Sequence, residues 1–216
     1  MTTAADESDE VLGRLKEGDE QALAELFSRC RPRLWRMVQF RLDPRLSGRV
    51  DADDLLQEAY LDAARRIRHF RDDSTTSFFV WLRLIVSQTL ADAHRRHLGA
   101  QMRDAGREIS IHGHPSLQST SISLAAYLLG DLTSPSRAAM RTEAAEQLER
   151  ALESMDPIDR EVLAMRHFEE LTNSEVAEVL GIQQKAASIR YVRAVRRLKE
   201  ILSQLPGFLD EDATGN

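Results

Sequence analysis

Residues 171–198 read LTNSEVAEVLGIQQKAASIRYVRAVRRL, and their spacing is helical almost throughout. Thr172, Asn173 and Ser174 offer side-chain oxygens that cap a helix start, and Glu175 brings acid to its first turn. Val176, Ala177 and Leu180 mark the inward face of a short helix, which Gly181 ends because glycine enters the left-handed conformation at little cost. Beyond the turn at Gly181-Ile182, Ala187, Tyr191, Ala194, Leu198 and Ile201 recur every three or four residues and predict a longer helix from about Gln183 to Leu202. A short helix, a tight turn and a longer helix with one apolar and one basic face make a helix-turn-helix pattern. The outward face carries Lys185, Ser188, Ile189, Arg190, Arg193 and Arg197. Arg and Lys there reach guanine or phosphate, Gln183 or Gln184 can pair with adenine, and Ile189 can touch a thymine methyl. A solvated basic face on an ordinary bundle helix is the other reading of the same pattern.

Upstream, Leu148, Ala151, Leu152 and Met155 mark a helix stopped at Asp156-Pro157, and Pro157 is tolerated in the first turn of the next helix, which runs to about Phe168. From about Ala105 to Ser136 the apolar period weakens, while Gly106, Gly113, Pro115 and Pro135 punctuate a Ser/Thr-rich stretch. This predicts a linker with one short helical turn at Leu124 to Leu129. In the front half, Leu23, Leu26, Phe27, Cys30, Leu34, Met37 and Val38 predict one amphipathic helix. Leu56, Ala59, Tyr60, Ala63, Ile67 and Phe70 predict a second, beginning near residue 51. Phe78, Leu82, Ile85, Val86, Thr89 and Ala93 predict a third after an Asp/Ser/Thr loop. No run alternates with period two. The expected fold is all-α: an acidic N-terminal tail over 1–19, a helical domain over 20–104, a linker over 105–137, a second helical domain over 138–205 and a C-terminal tail over 206–216.

The chain has 216 residues, 42% hydrophobic and 30% charged, enough to bury a core, and at roughly 100–150 residues per domain two domains are expected. A single cysteine, Cys30, excludes a disulfide framework and a multi-Cys zinc site and suits a reducing compartment. An acidic N-terminus and the lack of any run of about 18 apolar residues predict a cytoplasmic protein that neither is secreted nor spans a membrane. A net charge of −6 argues against a protein that coats nucleic acid unaided. The charges are segregated, however: acids at Asp51, Asp53, Asp54, Glu58 and Asp62, bases at Arg65, Arg66, Arg68, Arg71, Arg95, Arg96 and from Lys185 to Lys199. Two kinds of partner surface are therefore expected.

Asp51, Asp53 and Asp54 read as helix caps rather than a metal site. Gln57, Glu58 and Asp62 continue their polar face with no base before Arg65, leaving either an uncompensated docking stripe for a basic partner or a solvated face. His94 and His97, and His112 and His114 in the linker, lack a carboxylate or thiol at companion spacing, so neither metal nor cofactor is expected. No nucleophile motif or phosphate loop is present, and no catalytic residue is assigned. Phe78, Phe79 and Trp81 beside Arg83 form either core or a stacking surface for unpaired bases; Phe78 fits the inward face, whereas Phe79 and Trp81 cannot both do so.

As a set these residues resemble a family. Asp51-Ala52-Asp53-Asp54-Leu55-Leu56-Gln57-Glu58, then Phe70, Phe78-x-x-Trp81-Leu82-x-x-Ile85 and Asp92-x-x-Arg95, are similar to domain 2 of bacterial sigma factors of the extracytoplasmic-function group. Met155 to Leu163, Phe168 to Thr172, Glu175 to Gly181 and Arg193 to Leu198 resemble domain 4 of the same group. The resemblance implies a non-enzymatic subunit whose partners are core RNA polymerase and promoter DNA, with an anti-sigma protein as a further partner class. It implies that Asp53, Asp54, Leu55, Gln57 and Glu58 bind polymerase. Asp73, Ser74, Thr75, Trp81, Gln88, Asp92, Arg95 and Arg96 would hold the opened −10 strand. Gln183, Gln184, Lys185, Ser188, Ile189, Arg190, Arg193 and Arg197 would read the −35 duplex. Extruding a base costs a few kcal/mol, which a pocket with stacking side chains offsets. Two departures from the family pattern predict an altered promoter preference: Gln88 stands where the group usually has asparagine, and Ala186-Ala187-Ser188-Ile189 replaces the usual Thr-Val-Lys-Ser. A stand-alone regulator that binds an operator as a dimer is the alternative, but it leaves the acidic helix without a task, as a helical adaptor leaves the basic one.

Overall fold

The computed structural model describes residues 4–46, 48–72, 76–98, 120–121, 123–125, 128 and 138–204, and among them every regular element is helical. The chain divides into two compact units, the division falling between residues 107 and 114. The N-terminal unit contains α1 (Ala4–Glu17), α2 (Glu20–Arg41), a 3-10 turn (Pro44–Leu46), α3 (Ala52–Asp72) and α4 (Phe78–Leu98). The C-terminal unit contains α5 (Ala138–Glu153), α6 (Pro157–His167), α7 (Asn173–Leu180) and α8 (Gln184–Gln204).

In the N-terminal unit α3 packs against both α2 and α4, and the predicted apolar sets meet there: Leu34, Met37, Val38, Leu56, Ala59, Ala63, Leu82, Ile85 and Val86 are all buried. The edge-on pair Phe27 and Tyr60, centroids 5.0 Å apart, joins α2 to α3. Asp51 caps α3 as its position predicts, accepting the Asp53 N–H at 2.9 Å. Cys30, placed on the apolar face by spacing, is only half-buried.

Residues 4–17, expected within an acidic tail, are helix instead. Val11 and Leu15, one turn apart, are buried as α1 packs on α2. Their apolar signal is short and surrounded by charge, so composition conceals it. Asp19 then caps α2, accepting the Gln21 N–H, and Arg14 bonds the same carboxylate at 2.6 Å and Glu25 at 3.2 Å.

His94 on α4 is half-buried, and the Asp43 backbone N–H donates to its Nε2 at 3.3 Å. Burial holds the imidazole below its ordinary pKa of 6.5, outweighing the upward pull of the Asp43 carboxylate, while Arg45 adds to the depression. The accepted hydrogen bond needs a neutral ring. The stabilisation is therefore complete above the unfolded value and is lost as pH falls through the lower folded one. Both tryptophans, Trp35 and Trp81, lie in this unit, so their fluorescence reports its unfolding separately. The urea midpoint read from them is expected to fall as pH drops from 7 to 5, and less steeply in His94→Gln, which keeps a neutral acceptor. An unchanged pH slope in the variant would remove His94 from this role.

In the C-terminal unit, Asp156 caps α6 by accepting from Ile158 and Asp159, with Pro157 in the first turn. Thr172 and Glu175 form a reciprocal capping box on α7: the Glu175 N–H donates to Thr172 Oγ1 and the Thr172 N–H to Glu175 Oε2. Gly181 ends α7 at φ 63°, a left-handed conformation that side chains rarely adopt. α8 packs on α5, α6 and α7, burying Ala187, Ala194 and Ile201.

Most of the linker expected over 105–137 lies outside the described residues, as do His112, His114 and the tail from 206. Its described part is helical, in line with a helical turn there, and it belongs to the C-terminal unit. Thr120, Ser121, Leu124 and Ala125 are buried. Thr120 Oγ1 donates to Glu161, and Arg160 donates to Ser121 Oγ at 2.6 Å. Two buried charges of α6 are thus partly satisfied by hydroxyls from a segment whose composition reads as a tether.

Candidate docking and nucleic-acid surfaces

On α3, Asp53, Asp54, Gln57 and Glu58 are exposed on one side, whereas Leu55 is buried at 3% exposure. Leu55 thus packs on the inner side of the helix, away from the exposed side that carries the other four. The stripe is also not uncompensated. Arg31 of α2 pairs with Asp53 at 2.8 Å, Arg96 of α4 with Glu58 at 2.9 Å, and Arg66 with Asp62 at 2.6 Å. The Arg31 and Arg96 pairs are about half-exposed on both sides, where such pairs contribute roughly 0–1 kcal/mol, so a stronger partner can displace them. Asp54 and Gln57 have no polar partner among the described residues. Leu61, one turn beyond Gln57 and Glu58 on the same side, is 51% exposed. Periodicity leaves it off the inward set, and a leucine on a polar face is the signal that would have singled it out.

On α4, Phe79 is buried with the Arg33 guanidinium 3.5 Å over its ring, and so belongs to the core. Trp81 is half-exposed and packed on Phe70 and Phe78, with centroids 5.0 and 5.8 Å away. It is therefore the ring of the three that reaches the surface. Gln88 and Asp92 follow at helical spacing, and Arg95 and Arg96 lie beyond them. Arg66 donates to Gln88 Oε1 at 2.6 Å, which fixes the carboxamide and leaves its nitrogen for a partner. Asp92 pairs with Arg95, and Arg96 is turned to Glu58. Asp73, Ser74 and Thr75 lie outside the described residues.

Gln183, immediately before α8, and Gln184, Lys185 and Ile189 in its first turns are exposed. Ser188 donates to the Gln184 carbonyl and accepts from Asn173 at 3.0 Å, so it ties α7 to α8 instead of standing free. Arg190, half-buried, and Arg193, which stays exposed, reach across to α6. Arg193 Nε and Nη2 donate to the two oxygens of Asp159 at 2.5 and 2.7 Å, and Arg190 Nη1 donates to Asp159 at 3.1 Å. The Asp159 hydrogen bond and charge hold the Arg193 guanidinium above its ordinary pKa. With Asp159 only 5% exposed, the pair works as a clamp between α6 and α8. Arg197 bonds Glu200 and Ser154. The outward basic face expected from spacing is therefore narrower than the count of its arginines, since helical period does not reveal which charges a neighbouring helix claims.

Among the described residues no three metal-ligating side chains cluster, and no helix is long and apolar enough to cross a membrane.

The chain matches the family model described as ECF sigma factor over residues 6–203. The ECF RNA polymerase sigma factor SigD of Mycobacterium tuberculosis is 26% identical over 200 residues, which cover 93% of this chain and 86% of SigD. The RNA polymerase sigma factor CarQ of Myxococcus xanthus is 28% identical over 198 residues, covering 89% of this chain and 95% of CarQ. CnrH, solved in complex with the cytosolic domain of CnrY, shares the fold with a TM-score of 0.51 at 21% identity, over 90% of this chain and 96% of that one.

Proposed function

The chain belongs to the ECF sigma factor family and is an RNA polymerase sigma factor; from that premise we propose that it divides the work between its two units. The exposed side of α3, with Asp53, Asp54, Gln57 and Glu58, docks on a basic surface of core polymerase. The α4 face with Trp81, Gln88, Asp92 and Arg95 holds bases of the opened −10 strand, Trp81 by stacking and the others by hydrogen bonds. The start of α8, with Gln183, Gln184, Lys185 and Ile189, lies in the major groove of the −35 element. The protein is a non-catalytic specificity subunit acting in the cytoplasm, and an anti-sigma protein covering the same faces is the corresponding inhibitory partner class.

The observation that carries this reading is a capped helix-turn-helix joined in one chain to a second unit whose exposed face is acidic. An acidic face repels DNA and suits a protein partner, while the polymerase supplies phosphate contacts that a chain of net charge −6 lacks. An operator-binding regulator would leave that face idle. Run-off transcription with purified core polymerase on genomic fragments tests the proposal: discrete start sites that depend on the added chain are expected, and transcripts unchanged by it would refute the reading.

A further inference from the structure

With Arg190 and Arg193 withdrawn to Asp159, a different set of residues occupies the outer side of α8. Lys185, Ile189, Val192 and Arg196 recur at intervals of four, three and four residues, which places them on one stripe, and all are exposed. Ile189 is 58% and Val192 57% exposed, the two highest values among the large apolar side chains described. They sit side by side between two cations that make no ion pair among the described residues. The stripe bears no acid, and the opposite side of the helix, at Ala187 and Ala194, is fully covered.

Resting on the promoter-reading role proposed above, we infer that Ile189 and Val192 form an apolar reading edge for the C5-methyl groups of thymine in the −35 major groove, with Lys185 and Arg196 on the flanking phosphates. Neither side chain has a donor or acceptor. The thymine methyl is the one apolar feature among the base edges of the major groove, so it is the feature such side chains recognise. Cytosine at the same place would turn an amino group toward a surface that cannot accept from it, and discrimination follows from both terms. The flanking cations select a polyanion over a neutral or basic partner surface. Sequence spacing points to Ile189 alone; Val192 and Arg196 join it only because the packed structure shows which side of α8 is left open.

The experiment uses the full chain with core polymerase. A −35 element is first selected from random duplexes, and its thymines are then replaced singly by deoxyuridine, which removes the methyl and nothing else. One or two replacements are expected to weaken open-complex formation about fourfold each, the worth of one buried methyl-sized group. The same replacements should have no effect in Ile189→Ala/Val192→Ala. Both positions are exposed, so the variant should keep the wild-type circular dichroism spectrum and urea midpoint. Start-site choice that tolerates deoxyuridine at every thymine, or a methyl effect that persists in the double variant, overturns this inference and leaves the wider role intact. A chain that confers no start-site choice overturns both.

Discussion

Replacing Arg190 and Arg193 together with alanine is expected to destabilise the C-terminal unit by about 3 kcal/mol, because it strands a buried carboxylate. Asp159 is 5% exposed with both guanidinium groups in place and takes bonds from each, and Asp156 close by loses its 3.6 Å contact with Arg190 as well. The value sits at the lower end for a broken buried pair, since Arg193 is itself 54% exposed. Urea unfolding followed by circular dichroism should show an early transition that tryptophan fluorescence, confined to the N-terminal unit, does not follow. Lysines at both positions should recover only part of the loss, because an ammonium cannot reproduce the two-pronged contact of Arg193. Promoter output would fall in the alanine variant too, but as a consequence of unfolding. An unchanged urea profile together with lost promoter reading would instead return these arginines to the DNA.

Reversing Asp54 and Glu58 to lysine is expected to weaken binding to core polymerase by about 100-fold or more, since like charges brought together at an interface cost several kcal/mol. The fold should survive. Asp54 is exposed and unpaired among the described residues, and the Arg96 contact of Glu58 is an exposed pair of small worth. Co-purification with core enzyme, alongside a circular dichroism spectrum matching the wild type, is the measurement. A double variant that still co-purifies would move the docking surface away from α3. Leu61 gives an independent check on the same face: Leu61→Asp should weaken the complex as well, because an exposed leucine within a polar stripe adds apolar area only when a partner covers it.

Much of the architecture is legible in the amino-acid sequence. Asp51 and Thr172 cap helices where their residue types and positions predicted, and Pro157 and Gly181 open and close elements as their backbone chemistry requires. α1 was not legible, since Val11 and Leu15 are too brief a signal within an acidic stretch. Nor was the docking of Thr120 and Ser121 on Arg160 and Glu161, because serine and threonine in a stretch punctuated by glycine and proline read as tether whether or not their hydroxyls find partners.

The amino-acid sequence by itself determined the helices after α1, their order and the helix-turn-helix, because capping and amphipathic period act over a turn or two of chain. Which charges remain available was decided only by tertiary packing. Arg31 reaches Asp53, Arg96 reaches Glu58, and Arg190 and Arg193 reach Asp159 across 22 to 38 residues of sequence. Period assigns a side chain to one side of its own helix and says nothing of the helix that comes to lie beside it. That neighbour is chosen by apolar burial over the whole unit, and it engages the donors of Arg190 and Arg193 with Asp159 while leaving Ile189 and Val192 exposed.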